Sequence, residues 1–171
     1  MRSLMALILL SAVFHSQPTE AYCFNIAGEK NRIDPLLLKS IAIQESNLNQ
    51  HAINLSGNKL KRSKDYGLMQ INSLHIPQLK KKGIIKTERD LLNKPCLNVQ
   101  IAAEILSQHL HICGRNWECL GSYNAGFARS QKRTREIYAK KIRKIYTTLY
   151  HERKSRKNEN AHYLANVKMV R

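Results

Sequence analysis

Apolar residues recur along this chain mostly at helical spacing, in blocks separated by short polar breaks. The block IDPLLLKSIAIQESNL has a clear start. Asp34 is placed to accept the first free amide hydrogens, and Pro35 suits the first helical position. Leu37, Ile41 and Leu48 then follow on one face. Residues 50–64 are polar, carry Gly57 and several lysines, and predict a loop. After the unusual segment DYGLMQIN comes a short amphipathic piece to about Lys82, stopped by Gly83. Thr87 with Asp90 marks another start, a capping box with aspartate in the usual glutamate place. The spacing predicts a long helix over Pro95–Cys113, with Leu97, Ile101 and Ile105 on one stripe and Gly114 at the stop. A short helix from Asn116 to about Ser122 follows. A last helix runs from about Ser130 to Tyr150, with Tyr138, Ile142, Ile145, Tyr146 and Leu149 on one face. From His151 the chain is charged and poor in large apolar residues, which predicts a mobile tail over 151–171. Strand signals are weak and there are no repeats. The pattern is that of a mostly α single domain.

The N-terminus changes the picture of where that domain works. Arg2, an apolar run from Leu4 to Phe14 and a polar stretch ending at Ala21 have the three-part shape of a secretory signal peptide over residues 1–21. About eleven apolar-leaning residues are too few for a bilayer span, which needs about 20. The alternative is a buried N-terminal helix. No lipidation signature precedes Cys23, and no later segment predicts a transmembrane anchor. Residues 22–150 then form one exported domain, expected to be a monomer.

Four cysteines follow the proposed cut: Cys23, Cys96, Cys113 and Cys119. An even count in an exported chain reads as two disulfides, with three possible connectivities. Cys113–Cys119, closing the loop around Trp117, and Cys23–Cys96, tying the N-terminus to the body, are the favoured pairs. A zinc site built from His109, His111 and the last two cysteines fits no standard spacing. No metal is expected. Net charge is +17. Such a charge suits nucleic acid or an anionic envelope polymer equally, so charge alone does not choose.

Cleavage of a sugar polymer needs a carboxyl group kept partly protonated near neutral pH. The chain has twelve acidic residues. Most sit in caps, beside Lys or Arg, or in the tail; Glu45 and Asp65 stand out. Glu45 lies four residues after Ile41 and three before Leu48, on the face expected to be buried, near a helix C-terminus. Burial and the negative end of the helix both disfavour its charged form. The competing reading turns Glu45 out to solvent.

Glu45-Ser46, then GLMQIN from Gly67 to Asn72, CLNVQIAAEIL from Cys96 and YNAG from Tyr123 to Gly126, in that order, resemble the catalytic domain of the soluble lytic transglycosylases. The likeness covers residues 24–148. The size, the signal peptide, the polar insertion before DYG and the cysteines are similar to members that accompany type III secretion systems, conjugation machines and type IV pili in Gram-negative bacteria. The resemblance implies a lysozyme-like (goose-type) fold with little or no β-structure and a periplasmic location. It implies cleavage of the β-1,4 bond between N-acetylmuramic acid and N-acetylglucosamine in peptidoglycan, with no cofactor. Glu45 takes the place of the catalytic acid. Gln70 and Asn72 take the place of the cleft segment, Tyr123 and Asn124 of the face holding the N-acetyl group, and Tyr138 of a later tyrosine in the same cleft. Met69 is expected to touch sugar and Ser46 to orient Glu45. Physically, Gly67 would allow close approach of a sugar, and the two amides would both donate and accept toward it.

The chain departs from the family's usual residues at Asp65, Ala102 and Ile105, and around Tyr138. Aspartate at 65 is similar to the secretion-associated subgroup. Two rival functions remain: a lysozyme-type hydrolase using Glu45 with Asp65, and a non-enzymatic cationic binder. Partners expected are glycan strands and, through the basic tail, a secretion or pilus component; nucleic acid is not expected.

Overall fold

A computed structural model describes residues 23–56 and 62–168, with side chains to residue 160. The signal peptide read for 1–21, and Gly57 within the expected loop, lie outside the described residues. The chain forms α1 (Phe24–Asn31), α2 (Pro35–Ser46), β1 (Ile53–Ser56), β2 (Ser63–Tyr66), β3 (Ile71–Asn72), a 3-10 turn (Ser73–His75), α3 (Ile76–Lys81), α4 (Asp90–Asn93), α5 (Pro95–Cys113), α6 (Trp117–Leu120), α7 (Ser122–Ala125), a second 3-10 turn (Arg129–Gln131) and α8 (Lys132–Lys168).

The start of α2 is as its sequence dictates: the Asp34 carboxylate accepts the Leu36 N–H at 2.8 Å and Pro35 takes the first turn. Its end comes earlier than Leu48, because Asn47 and Leu48 both adopt left-handed backbone. The long helix α5 matches its predicted bounds and is closed by Gly114. Its buried face is broader than the Leu97–Ile101–Ile105 stripe: Val99, Ala102, Ala103 and Leu106 are all fully buried. Neighbours on several sides explain that, since α1, α4, α6, α7 and β3 all pack against α5. Helix α8 lies along α2 and α6, with Tyr138, Ala139 and Ile142 inward.

Both favoured disulfides are present, Cys23–Cys96 and Cys113–Cys119. The first ties the start of α1 to α5 and closes a separation of 73 residues; a loop of that size is restrained by roughly 4 kcal/mol in the chain-entropy picture.

Two expectations change. The loop predicted over residues 50–64 holds β1 and the start of β2, which join β3 in an antiparallel sheet of order β1-β2-β3. Its register pairs Asn54 with Asp65 and Asp65 with Asn72. Ile53 and Leu55 are both exposed, so β1 shows no alternation of buried and exposed side chains, and the pattern that announces a strand is absent. The last helix does not stop at Tyr150 but continues through Lys168. Residues 151–160 are exposed throughout. Lys, Arg, Glu and Ala favour helix, and no Gly or Pro follows Gly126 to break it; the poor apolar content removes packing partners, not helical propensity.

Candidate active site

The segment from Asp65 to Asn72 descends β2, turns and returns as β3. Gly67 sits at φ 75°, and a Cβ placed there would lie 2.4 Å from the Leu91 carbonyl oxygen and 2.5 Å from the Asn98 amide nitrogen. Glycine is therefore required by the protein's own packing rather than by an approaching sugar. Asn98, fully buried on α5, holds the turn in place. Its amide donates to the carbonyls of Tyr66 and Leu91 at 2.9 and 3.0 Å, and its oxygen accepts the Met69 N–H at 2.8 Å.

The two amides expected to face sugar are occupied within the protein. Gln70 Nε2 donates to the carbonyls of Gly67 (2.8 Å) and Ala52 (3.3 Å), while its Oε1 accepts from Asn54 Nδ2 at 2.8 Å. Asn72 Nδ2 donates to Asp65 Oδ1 (2.6 Å) and Ser63 Oγ (2.9 Å), and its Oδ1 accepts the Leu74 N–H. Both side chains touch the cleft, but their polar atoms fasten the hairpin and hold Asp65. Gln70 also has positive φ, a backbone cost that its buried bonds sustain.

Glu45 is the penultimate residue of α2 and is half-buried. Removal from water pushes its carboxyl up to about 7, from 4.5. The Tyr138 hydroxyl donates to Glu45 Oε1 at 2.5 Å and pulls the value back, while the charge of Asp65 adds to the rise. Tyr138 comes from α8, 93 residues away. Ser46 does not orient the carboxyl directly. Its hydroxyl donates to the Leu68 carbonyl at 2.7 Å and pins the helix end to the turn. Met69 is likewise corrected: its side chain is wholly buried, and its backbone serves the site instead, the N–H bonded to Asn98 and the carbonyl accepting the Tyr123 hydroxyl at 2.8 Å.

Glu45, Asp65, Gln70, Asn72, Tyr123 and Asn124 are among the residues that wall a cleft of about 480 Å³. Ser46, Met69 and Tyr138 lie behind the wall. Asp65 is also raised by burial, against the hydrogen bond from Asn72, and accepts from Ser56 as well. Sequence reasoning missed Asn54, Ser56, His75, His109 and Ser122 at this cleft. One signal was available: Ile105 and His109 stand four apart on α5, and both reach it. A second, more apolar hollow of about 230 Å³ lies at Arg32, Leu37 and Trp117. Its one carboxylate, Asp34, is engaged by Leu36 and Tyr146, so it offers no free acid. Cys113 and Cys119, weighed as zinc donors, are joined to each other.

Residues 22–146 match the family model described as the transglycosylase SLT domain. The chain belongs to this family. The chain is similar to a "Peptidoglycan-binding-like protein" of Escherichia coli O157:H7, 56% identical over 129 residues, covering 74% of this chain and 77% of that one. It is 41% identical to "Protein IpgF" of Shigella flexneri over 134 residues, 78% and 85% of the two chains. It is 41% identical to "Invasion protein IagB" of Salmonella typhimurium over 146 residues, 85% and 88% of the two. The fold is the lysozyme-like, mostly helical one of SLT domains, with the three-stranded sheet as its β-structure. No helix among the described residues is long and apolar enough to cross a membrane.

Proposed function

We propose that this SLT domain is a peptidoglycan lytic transglycosylase. The observation that carries the reading is Glu45: a carboxyl raised to about 7, bonded by a buried tyrosine and opening onto a cleft large enough for sugar rings. With a midpoint near the working pH, such a group can give a proton in one step and take one in the next. Glu45 first gives its proton to the oxygen leaving C1 of N-acetylmuramic acid, and the C1–O bond breaks with oxocarbenium character at C1. The carboxylate then takes the proton of that sugar's C6 hydroxyl, whose oxygen bonds C1. The products are a 1,6-anhydro end and a new free 4-hydroxyl, with no water consumed. An internal nucleophile supplies much of the acceleration through proximity. Asn124, exposed at the rim, is the residue best placed to orient the 2-acetamido group. Gln70 and Asn72 serve as framework.

One observation favours a second reading, hydrolysis. Asp65 borders the same cleft, and its charge acts on Glu45. A second carboxylate of that kind guides water or stabilises the intermediate in lysozyme-type enzymes. Mass spectrometry of fragments released from purified murein separates the two: anhydro ends support the lyase, reducing ends the hydrolase. Glu45→Gln should abolish release in either case; continued clearance would place the acid elsewhere.

The word peptidoglycan in the name of the Escherichia coli relative, with the signal-like N-terminus, supports work in the periplasm; local opening of the wall for a secretion apparatus or pilus is the role we propose there. The helical extension from His151, exposed to residue 160 and basic, is the surface proposed to dock on such a machine. Pull-downs with and without residues 151–171 test this; identical partners would dismiss it.

A further inference from the structure

Two imidazoles border the cleft with no part in the reaction above. His75 ends the 3-10 turn, and His109 stands on α5. The hydrogen-bond chain behind His109 fixes which of its nitrogens carries hydrogen. The buried Ser122 hydroxyl donates to the Cys119 carbonyl at 2.6 Å. A hydroxyl has one proton, so Ser122 Oγ meets His109 Nδ1, 2.9 Å away, as an acceptor. Nδ1 is therefore the N–H, and Nε2 is a bare acceptor. Every fully buried side-chain nitrogen and oxygen among the described residues has a hydrogen-bond partner. His109 Nε2 has none among them, so it is not fully buried, and His109 borders the cleft. The Phe127 ring, its centroid 4.7 Å from that of the imidazole, limits rotation.

Burial lowers the basicity of both imidazoles, and His75 opposes a charge on His109. Glu45 from α2, Asp65 from β2 and Tyr123 from α7 are the other titratable groups bordering the cleft. Near pH 7 both imidazoles are thus neutral. The wall they form accepts hydrogen bonds, despite the chain's large positive charge.

We propose that His109 is a substrate-positioning residue: its Nε2 accepts a hydrogen bond from an O–H or N–H of the polymer bound in the cleft. This rests on the glycan-cleaving reading of the same site. The donor is either a sugar hydroxyl or acetamido N–H, or an N–H of the peptide stem carried by muramic acid. Ser122 acts through His109, by holding the tautomer.

The test begins with the tautomer, which needs no turnover. Long-range 1H–15N spectra of the intact protein should show His109 with a protonated Nδ1 and an unprotonated Nε2, whose resonance moves when N-acetylglucosamine oligomers or peptide-bearing murein fragments are added. A shift with both probes assigns the donor to sugar; a shift with the peptide-bearing probe alone assigns it to the stem. An Nε2–H tautomer, or an Nε2 unmoved by a bound probe, overturns the proposal. In turnover, His109→Leu should raise KM roughly fivefold, the loss of one neutral hydrogen bond, with less effect on kcat. His109→Gln, which keeps an acceptor near the Nε2 position, should restore KM, and should lack the rise in KM expected of wild type at acid pH, where a proton on Nε2 removes the acceptor. Equal KM in wild type and the Leu variant would contradict the proposal. A wild type that releases nothing from murein would sink the lyase reading while leaving the tautomer and probe-binding outcomes to judge His109.

Discussion

Tyr138→Phe removes one oxygen and leaves the ring that packs α8 on α2, so it isolates the hydrogen bond to Glu45. That bond favours the charged carboxylate and works against burial. Hydrogen bonds to charged groups contribute about 1.5–3 kcal/mol, and one pKa unit is about 1.4 kcal/mol. Losing the bond should therefore raise the Glu45 midpoint by about 1 unit or more above its value of about 7. The acid form, which the first step needs, then persists to higher pH; the carboxylate that takes the C6 hydroxyl proton is generated by that first transfer. The assay is release of soluble fragments from murein across pH 5–9, with Glu45→Gln as the blank. The alkaline limb of kcat/KM should move up by about one pH unit. A limb that stays in place, or moves toward acid, would refute the assignment of Tyr138 as the group that holds Glu45 near neutrality.

Three further outcomes follow from the same geometry. Glu45 has a folded midpoint above its ordinary 4.5, so the folded state binds the extra proton, and stability contributed by this group falls as pH rises from about 4.5 through 7. Glu45→Gln should remove that dependence, making the variant more stable relative to wild type at pH 8 than at pH 4 by up to about 3 kcal/mol in urea melts. Gly67→Ala places a methyl against the Leu91 carbonyl in a left-handed backbone and should cost at least about 2 kcal/mol, also by urea denaturation. Deleting residues 151–171 should change stability by no more than about 0.5 kcal/mol, because residues 151–160 are exposed throughout; a larger loss in thermal melts would show that the extension packs on the domain.

Local chemistry made the helices legible. Asp34 with Pro35, and Gly114 after an apolar helix, act within a turn of where they stand, so their effect can be read in sequence order. Glu45 was singled out as an acid by its place relative to Ile41, but the hydroxyl that bonds it belongs to Tyr138, 93 residues on, which only the family likeness indicated. The amides misled for a similar reason. Gln70 and Asn72 have the chemistry to hold sugar, yet strand pairing sets Asn54 and Asp65 beside them and occupies both. The pairing itself was hidden because β1 shows no alternating burial. His75 and His109 meet at the cleft across 34 positions of chain, and no spacing announces that encounter. The helix end expected at Tyr150 does not hold, since low apolar content argues against packing and says little about helix.

The carboxyl of Glu45 can be titrated directly by following its 13Cδ resonance in labelled protein, with Glu45→Gln used to assign the signal. A midpoint near 7 is the result this account predicts. A midpoint near 4.5, that of a carboxyl in water, would contradict the claim that the cleft holds Glu45 ready at neutral pH.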